Sequence, residues 1–352
     1  YYIALFFARN MSQSILHSSL SLGALQLRNR VALAPMAGLT DVPFRTLAWR
    51  FGAGHMVSEM VASKLDLWHT QKSQLRREAL PCAAPMAVQM AGNDPVVMAE
   101  TARRLVDEGA ALIDINFGCP AKKVCRRAAG SALLADLDQV AAIVETVAAA
   151  VPVPVTVKSR TGLTPDDRLG VAAARVAEQA GARMVVMHGR SRACKFAGAV
   201  RFAPAGEARD ALSIPLLVNG DIEDMHGAAY ALQQSRADGI MIGRGAIGQP
   251  WIFQVLAGGA EPSVAQRLQV ICEHLDHMHT FYGLQQGVRI ARKHVQAYLR
   301  RLGAAGLILD FMRLDTAFAQ LTWLGALTES TILEQQNKLN VKPSLVANSI
   351  PC

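Results

Sequence analysis

Eight short apolar runs, at 31–34, 55–57, 86–89, 112–116, 155–158, 184–188, 216–219 and 239–242, recur along the chain with helix-patterned stretches between them. The runs are continuously apolar rather than alternating, as expected for strands covered on both faces of a parallel sheet. Stretches such as 95–108, 137–150 and 172–181 carry helical spacing, and a repeat of roughly 25–40 residues suits βα units. The economical closure is an α/β fold, a (β/α)8 TIM barrel over 25–258, in which chemistry belongs to the loops after the strands. A doubly wound open sheet is the competing arrangement. After Gly258-Gly259-Ala260-Glu261-Pro262 the strand signal stops, and 263–282, 288–302 and 311–324 read as amphipathic helices. These predict a C-terminal all-helical domain over 259–333, followed by a weakly ordered tail over 334–352. Residues 1–24 read as an N-terminal extension. Its first ten are apolar but lack a basic leader and are too short to span a membrane, and Met11 is a candidate start, so 1–10 are not expected to belong to the fold.

A hydrophobic content of 51% supports a large core. Six cysteines, at 82, 119, 125, 194, 272 and 352, form no C-x-x-C pair, so neither a zinc ribbon nor an iron–sulfur ligand set is written here, and no metal is expected. Reduced thiols place the expected home in the cytoplasm. A net charge of +8 fits either a polyanionic partner or plain solubility.

The residues with most chemical content stand where a barrel would use them. Asp114-Ile115-Asn116-Phe117-Gly118-Cys119-Pro120 ends a strand in a thiol, and Lys122, Lys123, Arg126 and Arg127 follow at once. A cationic, partly exposed setting is one that tunes cysteine acidity; a buried structural thiol is the ordinary alternative. Pro35-Met36-Ala37 follow the first strand, Gln89 lies at the third, Lys158 at the fifth and His188 at the sixth. Asn219-Gly220-Asp221 follow the seventh and Gly243-Arg244 the eighth. Singly, Lys158 could be a rim ion pair, His188 a core histidine and Asn219-Gly220-Asp221 a turn; their joint placement points to one site. Small residues after strands seven and eight let backbone N–H groups approach an anion, and a cation at Lys158 could balance charge on a reduced flavin, which makes FMN the natural occupant. Gly243-Arg244-Gly245-Ala246-Ile247-Gly248 matches G-x-G-x-x-G, but no βαβ unit follows, which excludes a dinucleotide fold.

Taken together these residues closely resemble the tRNA-dihydrouridine synthases, within them the bacterial B-type branch. The matching stretches are 34–45, 58–60, 116–124, 158–162, 188–192, 218–222 and 242–245, and the likeness runs from about Leu25 to Leu324. The resemblance implies a flavin barrel with a small helical domain, reducing the C5–C6 double bond of uridines in the tRNA D-loop with FMN and NADPH; the B-type likeness points to position 17. It carries flavin contacts onto Pro35, Met36, Ala37, Gln89, Lys158, Asn219, Gly220, Asp221, Gly243 and Arg244, with His188 adjacent. By the same likeness NADPH reduces the flavin and leaves, the hydride goes to uracil C6, and Cys119 protonates C5. A general acid needs a thiol near its ordinary pKa of about 8.5 rather than an activated thiolate, so the neighbouring cations are expected to face RNA phosphates. The chain departs from the family pattern at Ser159, Ser191, Phe196 and Cys125; the last adds a thiol able to pair with Cys119 on oxidation.

Between Asp276 and Asp310 there are five cations and no acid. On a helix Arg289, Arg292, Lys293, Gln296 and Arg300 share one face, and Ala291, Val295, Tyr298 and Leu302 the other. Surface helices ordinarily mix signs, so a single sign favours phosphate contact. A monomer that binds tRNA, with no membrane association, is the expectation. A target base stacked in folded tRNA would have to flip out to react. The alternatives are a flavin barrel acting on a small molecule, of the dihydroorotate dehydrogenase kind, and a non-catalytic tRNA-binding protein.

Overall fold

The computed structural model describes residues 15–82 and 84–340; the stretch 1–10, the candidate start Met11 and the end of the expected tail, 341–352, lie outside the described residues. The chain forms two compact units. Among the described residues, one holds those up to Ala246 together with Ile252–Gly259, the other Ile247–Trp251 and those from Ala260 on.

The first unit is built on parallel strands Val31–Leu33, His55–Met56, Val61–Ala62, Ala87–Ala91, Leu112–Asn116, Val155–Arg160, Met184–His188, Leu216–Asn219 and Gly239–Ile242. The last strand pairs with the first, Ile240 opposite Val31. Val61–Ala62 joins the strand Ala87–Ala91, and a parallel bridge from Val57 to Ala87 ties His55–Met56 to that same neighbour. Two short pieces therefore share the second of eight positions and the sheet closes on itself, which decides for the barrel over the open sheet. The split strand was not legible in the sequence, because two residues are too few to show a period.

Inside the barrel, Ala32, Ala34, Val57, Ala87, Leu112, Met184, Val186, Leu217 and Met241 pack with Leu20, Leu22 and Leu27. Those leucines come from an antiparallel hairpin, Leu20–Leu22 with Leu25–Leu27, turned at Gly23, whose φ of 64° lies in the left-handed region that glycine enters freely. The alternating pattern of residues 20–27 buries one face, so the hairpin straddles the expected boundary at residue 25 and completes the barrel's core. Surrounding helices start on side-chain caps: Asp94 accepts from the Val96 and Val97 N–H groups before Pro95–Asp107, and Asp136 from Gln139 before Leu137–Ala150, each cap worth about 1 kcal/mol.

The second unit carries helices Val264–Tyr282, Leu284–Arg301, Ile308–Met312, Ala317–Gly325 and Glu329–Asn340. Ser263 and Gln266 form a reciprocal capping box at its start. Helix Leu284–Arg301 buries Val288, Ala291, His294, Val295, Tyr298 and Leu299, the stripe expected from the spacing, and Leu302 is buried beyond it. The single helix expected over 311–324 is instead two. The Leu314 carbonyl accepts from Arg292 Nη2 and Thr316 Oγ1 caps a fresh start at the Ala319 N–H, so side chains satisfy the groups that a continuous helix would have paired. The last helix runs to Asn340, into the stretch from Glu334 where the sequence pattern is weak. Gly248, at φ 81°, lets its backbone lie against Ala297; a Cβ there would fall 2.6 Å from the Ala297 carbonyl oxygen. The last glycine of the G-x-G-x-x-G run thus serves helix packing.

Candidate active site

Parallel barrel strands point alternate side chains to the interior, and the sequence places a polar ladder there. Asp114 is buried and accepts from Gln89 Nε2 and Thr156 Oγ1, both at 2.7 Å. Gln89 Oε1 in turn accepts from Asn116 Nδ2 at 2.7 Å. Asn116 Oδ1 takes the Gly118 and Cys119 N–H groups at 3.1 and 2.8 Å, and the Cys119 carbonyl accepts from the Ser131 N–H and hydroxyl at 3.1 and 2.9 Å. The peptide carrying the thiol is pinned at both ends. Burial raises the Asp114 carboxyl to about 6 against the two hydrogen bonds.

Lys158 and Arg160, two apart on one strand, share a face. Lys158 Nζ lies 3.2 Å from Asn219 Oδ1, which also sits 2.8 Å from His188 Nδ1. Asn219 Nδ2 donates to the Met241 carbonyl, so its amide orientation is fixed and its oxygen serves both neighbours. Burial lowers Lys158 to about 8, with Arg160 adding to the effect, and burial beside Lys158 and Arg160 lowers His188 to about 3. A neutral His188 therefore donates from Nδ1 and keeps Nε2 as a buried acceptor, which has no hydrogen-bond partner among the described residues. Arg160 donates to the carbonyls of Gly118, Ser191 and Lys195 at 2.6, 3.1 and 2.7 Å. Its guanidinium lies 5.3 Å from the ring centre of the exposed Phe196.

Pro35, Met36, Lys158, His188, Asn219, Gly220, Asp221, Gly243 and Arg244 line one cleft together with Ala34, Gly118, Arg160 and Phe196. Nine of the expected cofactor residues thus converge. Ala37 is exposed beside the loop, and Gln89 is buried one step away, acting through Asn116. Asp221, held at φ 42°, gives its carboxylate to Arg190 at 2.5 Å and Arg244 at 2.6 Å, which lower it to about 2. A side chain at Gly243 would grow into the cleft, 3.8 Å from both Met36 Sδ and Asn219 Nδ2.

The cations of the loop after Cys119 are not the ones that act on its thiol. Lys122, Lys123, Arg126 and Arg127 are exposed on Lys122–Cys125 and the turn after it. The cations that act on Cys119 are Arg160 and Lys158, and burial outweighs them to raise the thiol pKa. Cys125 stays free and lies 3.4 Å from the Cys119 carbonyl oxygen. In the helical unit Arg289, Lys293 and Arg300 are exposed, whereas Arg292 is half-buried; it departs from the outward stripe because its guanidinium turns inward to the Leu314 carbonyl. Asn116 and Arg160 were missed as site residues. Their signal was present: Arg160 is two residues beyond Lys158 and Asn116 two beyond Asp114, each pair on one strand face.

Residues 32–309 match the family model described as Dihydrouridine synthase (Dus). The chain is 47% identical over 311 residues to tRNA-dihydrouridine synthase B of Pseudomonas aeruginosa, covering 86% of this chain and 94% of that protein. It is 46% identical over 286 residues to the protein of the same name from Salmonella typhimurium, covering 79% and 89%. Among solved structures it resembles the old yellow enzyme homologue of Zymomonas mobilis, with a TM-score of 0.52 at 17% identity over 72% of this chain and 96% of that one. It also resembles a 2-naphthoyl-CoA reductase complex, with a TM-score of 0.55 at 12% identity over 70% and 53%. At those identities the likeness is one of fold, and it agrees with the closed barrel. No described helix is long and apolar enough to cross a membrane. A match over most of the barrel and into the helical unit, joined to relatives at nearly half identity, establishes that the chain belongs to the dihydrouridine synthase family.

Proposed function

We propose that this protein reduces the C5–C6 double bond of a uridine in tRNA, with FMN held in the barrel cleft, NADPH as reductant and Cys119 as the general acid. Two features favour a flavin in the cleft. The His188 Nε2 acceptor is buried without a partner among the described residues, and an isoalloxazine offers an N–H donor; Gly243 leaves open the space that any side chain would take. When bound, FMN supplies the hydride chemistry. Lys158, Asn219 and His188 would hold it, Lys158 balancing negative charge; Arg244, oriented by Asp221, would meet its phosphate.

The observation that carries the reading is the setting of Cys119. The Asn116 and Ser131 contacts fix the peptide that carries it, and burial raises its pKa, so a thiol ordinarily protonated at neutral pH stays so. A protonated thiol on a fixed peptide, next to Gly118 of the cleft lining, suits addition of a proton to carbon, whereas an activated thiolate would suit attack on it. The exposed cations Lys122, Lys123, Arg126 and Arg127, and Arg289, Lys293 and Arg300 of the helical unit, supply phosphate contacts.

The test uses the FMN-loaded protein, NADPH and an unmodified tRNA transcript. Cys119→Ala should lower dihydrouridine formation by about 10²–10⁴-fold while NADPH still reduces the flavin at the original rate. Undiminished dihydrouridine formation in this variant would refute the role of the thiol, and a protein that neither retains FMN nor modifies tRNA would refute the reading as a whole.

A further inference from the structure

Beside the cleft, and sharing no lining residue with it, lies a larger cavity of about 390 Å³, within the size range of small-molecule pockets. Its floor is apolar, made by Val61, Ala62, Ala91, Val97 and Val124. Its rim carries Lys64, Lys72 and Arg76 from one segment, Lys123 and Arg127 from a second, and a single acid, Asp94, from a third; Arg76 is already paired with Glu59 and bonded to the Met60 carbonyl. The Asp94 carboxylate is engaged in capping Pro95–Asp107, so the rim is cationic in effect. Into this cavity also faces Ser63, 7% exposed, whose buried hydroxyl has no hydrogen-bond partner among the described residues. An apolar floor, one unused hydroxyl and a ring of cations together fit a nucleobase with phosphates on either side of it.

One wall belongs to the loop of the general acid: Val124 and Ala129 line the cavity, and Gly130 approaches the Cys119 carbonyl and Val124 so closely that a Cβ would lie 2.9 Å from each. We propose that this cavity binds an unstacked RNA nucleotide that neighbours the target uridine, with its base on the apolar floor against Ser63 Oγ and its phosphates at Lys64, Lys72, Lys123 and Arg127. The inference rests on the proposed tRNA reaction and adds a second base-holding site to it. A pocket that shares a loop with the thiol suits a base one or a few nucleotides along the strand. Cations spread over two segments suit a passing phosphodiester chain.

The experiment uses the FMN-loaded full chain and compares the parent protein with Lys64→Ala/Lys72→Ala and with the cavity-filling Ser63→Phe. Neither lysine touches the cleft, so both variants are checked for retained flavin. Phosphate contacts to a single strand contribute about 0.7 each to the salt slope of log Kd, so the lysine pair should lower that slope by about 1.4. Ser63→Phe should weaken tRNA binding about tenfold, the scale of one lost base contact. The rate and midpoint of flavin reduction by NADPH should stay unchanged in both. An unchanged tRNA affinity and salt slope in the lysine variant would overturn the proposal even if Ser63→Phe fails to fold. A raised NADPH midpoint with tRNA binding intact would overturn it in favour of the dinucleotide as occupant. Failure of the parent protein to modify tRNA is read separately and would sink the underlying reaction instead.

Discussion

Replacing Asp114 with Asn should make the barrel more stable at neutral pH and change how its stability depends on pH. The carboxyl is 2% exposed in the barrel interior, and burial raises it to about 6 from an unfolded value of 3.8. Because the folded pKa is the higher one, the native state keeps a proton that the unfolded chain has lost between about pH 4 and 6. Stability from this group is therefore full below pH 4, falls as pH rises to 6, and stays low above it. The interval of about two pKa units corresponds to about 3 kcal/mol at pH 7. An Asn can turn its oxygen to Gln89 Nε2 and its amide to Thr156 Oγ1, a hydroxyl free to rotate into the accepting role, so the ladder to Asn116 survives. The assay is denaturant unfolding of the two proteins from pH 4 to 8. His55, His188 and His294, all lowered by burial, titrate in the same range, but they are common to both proteins and cancel in the difference. The Asp114→Asn variant should gain about 3 kcal/mol on the parent between pH 4 and 7. Parallel curves would show that the carboxyl is not held protonated and would refute the reasoning.

Other outcomes follow from neighbouring groups. Lys158, lowered to about 8 by burial, loses its charge within the working range, so the Kd for FMN should rise above pH 8 by up to about tenfold per unit, measured by fluorescence titration. Lys158→Met should abolish that dependence. Gly248→Ala forces a Cβ to 2.6 Å from the Ala297 carbonyl at φ 81° and should cost about 1–3 kcal/mol in the helical unit, seen as a lower thermal midpoint with FMN binding in the barrel retained.

Strand spacing and continuous apolarity were enough to give the barrel and its closing strands, since a strand covered on both faces must be apolar throughout, and that demand is local. Polar residues at strand ends were legible for the same reason: Lys158, His188 and Asn219 interrupt runs that packing alone would keep apolar. Other features needed the tertiary structure. The sequence shows Cys119 next to four cations, and a general-acid role expects them to face away from the sulfur; on their exposed turn they do face solvent. The cations that act on the thiol, Lys158 and Arg160, come from the adjacent strand and are brought there by sheet register. Arg292 likewise lies on the cationic stripe by spacing, and only the fold of the helical unit turns it to the Leu314 carbonyl. The cavity at Ser63 assembles three distant segments. Periodicity fixes which face a residue takes on its own element; what stands opposite that face is set by long-range pairing, and there burial, protonation and the site itself are decided.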